Sequence, residues 1–231
     1  MTPLVLLPGM MCDARLFAPQ IAAFSASRAV HVAPIGGADT MQALATDILS
    51  HAPPRFALAG LSMGGIVAME VIRQAPGRVT RLALLDTNPR AETPQVAAGR
   101  QRQIDRAIAG ELRAIMRDEM KPRYLAAGPG RDAILGLCME MAETLGPDVF
   151  VRQSRALRDR PDQCDTLRAV AVPTLALCGR EDTLCPIERH ETIRDLVPGA
   201  TLTIIDGAGH LPTIERPLQT NAALARWLET P

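Results

Sequence analysis

The chain has no excess of charge of either sign, since its 25 basic residues balance 25 acidic ones. Without a net field it has no general attraction for nucleic acid or anionic lipid, and a small molecule is the expected partner. Lysine is almost missing: Lys121 stands alone, and arginine carries the rest of the positive charge. No apolar run approaches the roughly 20 residues needed to cross a bilayer, and no basic segment precedes Leu4-Val5-Leu6-Leu7 as a targeting peptide would require. These absences predict a soluble, cytoplasmic protein with no membrane partner. The five cysteines, Cys12, Cys138, Cys164, Cys178 and Cys185, include no C-x-x-C pair, and their odd number argues against a secreted disulfide framework. Neither a metal site nor a cofactor is expected.

What is present is an alternation. A chain of 231 residues suits one α/β domain. Short apolar runs at 3–7, 29–33, 55–60, 81–86, 173–178 and 201–205 read as strands, and helical spacing fills 14–24, 40–51, 63–75, 186–196 and 217–229. Such alternation predicts a six-stranded, mostly parallel sheet. It breaks between Asn88 and about Pro161, where helical patches at 101–117, 131–145 and 149–158 appear without a strand. Within the break, Ile104, Ile108, Leu112, Ile115 and Met116 recur at helical spacing and are expected to pack among the helices of that segment.

The pentapeptide Gly60-Leu61-Ser62-Met63-Gly64 lies where the strand at 55–60 meets the helix at 63–75. A serine on a sharp strand-to-helix turn is exposed for nucleophilic attack, and flanking glycines prevent collision with neighbouring backbone. A bland turn serine would fit the pentapeptide alone. Two further segments weigh against that reading, since Asp182 follows the strand at 173–178 and His210 follows the strand at 201–205 after Gly207-Ala208-Gly209. In a parallel sheet all strand carboxyl ends share one edge, so Ser62, Asp182 and His210 can converge.

With these motifs, together with Leu7-Pro8-Gly9-Met10 at the first strand's end and Leu211-Pro212-Thr213-Ile214-Glu215-Arg216-Pro217 after the histidine, the chain resembles the α/β-hydrolase fold superfamily over nearly its whole length. The resemblance implies Ser62 as nucleophile, His210 as general base and Asp182 as the acid that orients it, with the backbone N–H groups of Met10 and Met63 as the oxyanion hole. It also implies a core of residues 1–88 and 161–231, with a helical cap over 89–160 in which Met139 and Met141 would line the pocket roof. Two departures are visible. Pro8-Gly9 stands where many members carry His-Gly, and the strand at 3–7 comes so early that the usual N-terminal hairpin is absent.

The expected activity is cleavage of a small carboxylic ester through an acyl-serine. Thioester, lactone or carbon–carbon hydrolysis and cofactor-free perhydrolysis could use the same triad, and a non-catalytic binding protein is the alternative of a different class. Asp86, which ends the strand at 81–86, is the rival acid. His31, His51 and His190 lie in a strand, at a helix end and in a helix, without the glycine-rich loop that precedes His210. A catalytic Cys12 or Cys185 lacks the elbow context. Many arginines crowd the segment 89–160; one could point inward to hold a substrate carboxylate, and the sequence does not select which.

Overall fold

Strand β1 (Leu4–Leu7) splits its side chains between two cores, Leu4 and Leu6 on one face and Val5 and Leu7 on the other. The same division runs through β3 (Phe56–Leu61), β4 (Val79–Leu85) and β5 (Thr174–Gly179), so these strands are apolar on both faces. A sheet buried on both sides needs helices on both, which is what parallel crossovers supply. The computed structural model, which describes residues 1–229, completes the sheet with β2 (Val30–Val32) and β6 (Thr201–Ile205), all strands parallel in the order β2-β1-β3-β4-β5-β6. Among the described residues no hairpin precedes β1.

Helices α2 (Met41–His51), α3 (Met63–Gln74) and α8 (Ile187–Leu196) cover one face, while α1 (Ala18–Phe24), the short α9 (Pro212–Glu215) and α10 (Pro217–Glu229) cover the other. Strand β4 starts two residues earlier than its apolar run suggested. Val79 pairs with Phe56 across a register shift, which extends the ladder past the half-buried Thr80 and Arg81.

Between β4 and β5 lies a helical insertion. The patch expected at 101–117 is two helices, α4 (Pro94–Ile108) and α5 (Leu112–Ile115), the second passing into a π-helical turn at Met116–Met120. Thr93 caps α4 through its hydroxyl, which accepts the Val96 N–H at 3.4 Å, and Pro94 sits at the first helical position. Gly110, at φ 91°, ends it. Because the helix stops there, Ile108 faces solvent at 66 % exposure, contrary to its expected burial, whereas Ile104, Leu112, Ile115 and Met116 are buried as expected. Helix α6 (Arg131–Arg158) is broken at Gly146 (φ 79°, ψ 175°) and Pro147, and the short α7 (Cys164–Arg168) leads into β5. Among the described residues no helix is long and apolar enough to cross a membrane.

The sheet reverses its winding at β1, whose neighbours β2 and β3 are reached by crossovers in opposite directions. Loops leaving β1 and β3 therefore part and open a crevice at the carboxyl edge. The elbow closes against that crevice. A Cβ at Gly64 would overlap the carbonyls of Leu7 and Pro8, and one at Gly60 would overlap the backbone of Gly64 and Gly65. Hence α3 can start in contact with the end of β1 only if both positions are glycine. Gly64→Ala should lower unfolding stability by about 1–3 kcal/mol or more, read by urea titration; an unchanged midpoint would mean the contact relaxes freely.

Candidate active site

Ser62 has φ 55° and ψ −116°, a conformation that L-residues rarely adopt. Its backbone is held from both sides: its N–H donates to Leu85 O at 2.8 Å, and the Thr87 hydroxyl donates to its carbonyl at 2.7 Å. Thr87 is fixed in turn because its N–H donates to His190 Nε2 at 3.0 Å. That bond makes Nε2 the acceptor, so the ring is neutral, and burial draws the His190 pKa down to about 4.

Ser62 Oγ lies 2.8 Å from His210 Nε2, and His210 Nδ1 lies 2.8 Å from Asp182 Oδ2. The three side chains thus form one hydrogen-bonded line, each from a loop at the sheet's carboxyl edge. Burial by itself would raise the Asp182 pKa. The facing His210 and the N–H groups of Cys185 and Leu184, which donate to Oδ1 at 3.0 and 2.7 Å, outweigh it and hold the carboxyl below its ordinary value. His210 is set by its own N–H, which donates to Tyr124 O at 2.7 Å, and its ring lies 6.1 Å from the Tyr124 ring, centroid to centroid. Glu215 accepts the N–H groups of Gly209, Leu211 and Ala126, tying the histidine loop to the insertion.

Asp86, the rival acid, sits behind this line. Its φ is 44°, one oxygen accepts the Gly179 N–H at 2.9 Å, and the other has no partner among the described residues. Complete burial, reinforced by the Asp182 charge, pushes its pKa well up and favours its protonated form, and Asp86 makes no bond to His210.

Met10 and Met63 both line the cavity in front of Ser62. Met63 opens α3, and the first amides of a helix have no partner within it. On the β1 loop the Met11 N–H donates to Gln153 Oε1 at 2.9 Å and the Cys12 N–H to Gly9 O at 3.1 Å. Gln153 is itself held, its amide nitrogen donating to Ile35 O at 3.2 Å, so a buried glutamine of the insertion shapes this loop. Met11, at φ 55°, marks the sharp turn that results.

The cavity has a volume of about 640 Å³. Its walls include Arg100, Met120, Tyr124 and Arg160 of the insertion. The structure corrects the expected roof: Met139 and Met141 do not line this cavity but are buried among the core side chains, and the Met141 sulfur accepts the Asp13 N–H at 3.5 Å. Helical spacing places residues on a face and says nothing of what that face meets. The one group of possible metal ligands among the described residues, Asp182, Cys185 and His210, has two members bonded to each other, and burial raises the Cys185 thiol pKa so that it stays protonated.

Residues 4–223 match the family model of the alpha/beta hydrolase family. The chain belongs to that family. It is 28 % identical to the pimeloyl-[acyl-carrier protein] methyl ester esterase of Klebsiella pneumoniae, over 93 % of this chain and 88 % of that protein. A thermophilic esterase from Thermogutta terrifontis, solved with malate bound, superposes with a TM-score of 0.89 at 28 % identity, covering 99 % of this chain and 89 % of that one. The enol-lactonase from Burkholderia xenovorans shares the fold at 22 % identity, with a TM-score of 0.87 over 100 % of this chain and 92 % of its own.

Thr87, His190, Gln153 and Tyr124 had no motif to announce them. On unfolding, the His190 ring gains a proton as pH falls through about 6.5, while the folded ring stays neutral until about 4. The stability it contributes is therefore complete above that window and lost as pH falls through it. From pH 7 to pH 4 the wild type should lose about 3 kcal/mol more than His190→Gln, by urea titration; equal losses would remove the neutral buried imidazole.

Proposed function

We propose that this protein is a serine hydrolase that cleaves a small carboxylic ester through an acyl-serine intermediate. The observation that carries the reading is the unbroken line of hydrogen bonds from Ser62 through His210 to Asp182 at the floor of a cavity. A hydroxyl is a weak nucleophile until a base takes its proton; here His210 Nε2 removes the Ser62 proton as Oγ attacks the ester carbon. The ionised Asp182 fixes the tautomer that leaves Nε2 free and stabilises the imidazolium that forms. Negative charge on the carbonyl oxygen meets the N–H groups of Met63 and Met10, preorganised by the start of α3 and by Gln153. The imidazolium then protonates the leaving alcohol. Water, activated by the same ring, attacks the acyl-serine and releases the acid. None of these steps calls for a cofactor.

Residues 89–160 act in this reading as a cap on the core of 1–88 and 161–231. They supply part of the cavity wall and, through Gln153 and Tyr124, reach both the oxyanion loop and the histidine loop. The esterase names of the relatives support ester cleavage as the reaction, and the small net field of the chain suits a small-molecule substrate.

Two measurements test the assignment. Ser62→Ala should lower turnover of a phenyl or methyl ester by about 10⁴ to 10⁶-fold and abolish labelling by a fluorophosphonate, with the circular dichroism spectrum unchanged; ester turnover near the wild-type rate in the alanine variant would end the nucleophile assignment. Asp182→Asn should reduce turnover by about 10⁴-fold, because the amide favours the wrong imidazole tautomer. Asp86→Asn should be far milder, since a neutral acid is replaced by a neutral amide of the same shape. The opposite ranking would transfer the acid's role to Asp86.

A further inference from the structure

The cavity that holds Ser62 has more positive charge in its wall than its own acids neutralise. Glu92, with its side chain only 2 % exposed, accepts Arg100 Nε at 2.6 and 2.7 Å and also pairs with an Arg160 terminal nitrogen at 2.9 Å. One carboxylate thus serves two guanidinium groups. Arg189, in the first turn of α8, lines the same cavity half-buried, and its side chain has no ion pair or hydrogen bond among the described residues. Arg160, whose side chain is 8 % exposed, feels this crowding: burial first, then Arg100 and Arg189 against the pull of Glu92, bring its pKa down to about 10, still cationic at neutral pH.

Three cations and one anion leave two positive charges in a wall partly withdrawn from water, where like charges repel strongly. Arg160 uses Nε on Arg90 O and one terminal nitrogen on Glu92, which leaves its other terminal nitrogen free to donate. The whole Arg189 fork is available as well. The cluster borders the reacting centre on two sides, since an Arg100 terminal nitrogen touches Met10 Sδ at 3.9 Å and Cys185, which lines the cavity with Arg160, donates its N–H to Asp182. Other arginines of the cavity differ. Arg106 is occupied by Glu111 and Glu119, Arg123 donates to Thr183 O, and Arg102 is exposed.

We propose that Arg160 and Arg189, backed by the Arg100–Glu92 pair, form a subsite for a carboxylate carried by the ester substrate, so that the preferred substrate is a small anionic ester and not a neutral one. The proposal rests on the reading of Ser62 as nucleophile. A guanidinium fork matches a carboxylate bidentately, and an anion here would complete the unbalanced charge of the wall.

The carboxylate could belong to the acyl or the alcohol side, and two matched pairs separate these. Monomethyl glutarate against dimethyl glutarate places the charge on the acyl side; O-acetylglycolate against its methyl ester places it on the alcohol side. In at least one pair the wild type should favour the charged member by about tenfold or more in kcat/KM, and Arg189→Gln should lower that ratio by about tenfold, chiefly through KM. The pair with the larger ratio locates the carboxylate. Ratios near one in both pairs, with neutral esters hydrolysed, would overturn the subsite while leaving the nucleophile in place. Calorimetry on Ser62→Ala removes the dependence on turnover: monomethyl glutarate or O-acetylglycolate should bind about tenfold or more tightly than its neutral partner, and the preference should vanish in Ser62→Ala/Arg189→Gln. That result would uphold the subsite even if no ester were turned over, which would sink only the hydrolase reading. Equal binding of charged and neutral members in both pairs would reject the subsite.

Discussion

The contact between the start of α3 and the end of β1 governs the rest of the molecule. It exists because residues 60 and 64 have no side chains, and it forces Ser62 into a positive-φ turn. Once that turn is made, Ser62 Oγ meets His210 and the first turn of α3 packs against the end of β1 and the loop after it. The strain is held by a local network: Leu85 takes the serine N–H, Thr87, itself fixed by His190, donates to the serine carbonyl, and the Gly65 and Ile66 amides of α3 donate to that carbonyl as well. The geometry of Ser62 and that of the loop after β1 are therefore a single packing problem.

Around this turn the protein keeps some ionisable groups neutral and others charged, according to their partners. His190 and Asp86 are buried without a compensating charge, and burial displaces the pKa of each toward its neutral form. Asp182 is equally buried, yet two amides and an imidazole keep it ionised. Two aspartates end neighbouring strands, and their different partners give them different charges. Only Asp182 meets His210, while Asp86 sits behind it bonded to the Gly179 amide.

The insertion between β4 and β5 shapes the site as much as the sheet does. Gln153 holds the loop after β1, Tyr124 takes the His210 amide, and Glu215 reaches back to Ala126. The same segment brings Glu92, Arg100 and Arg160 to the cavity, where they meet Arg189 from the core. A chain with no net charge overall thereby concentrates positive charge at one place. The balance of 25 against 25 residues conceals a local imbalance that only the cavity reveals.

By itself the sequence determined the six strands, their parallel order of appearance and the elements that carry Ser62, Asp182 and His210, because glycine spacing, apolar runs and turn residues are local properties of the chain. It also located the break at which the helical insertion enters. Tertiary structure alone decided which face of each insertion helix meets the cavity. It buried Met139 and Met141 in the core, left Ile108 in solvent, and brought Arg100 and Arg160 together on Glu92. Helical periodicity repeats every turn and gives each face equal standing until a neighbour covers one of them. The supports of the site, Thr87, His190 and Gln153, were hidden for the same reason: each acts on a residue between 25 and 142 positions away, a distance over which a hydrogen bond leaves no local pattern.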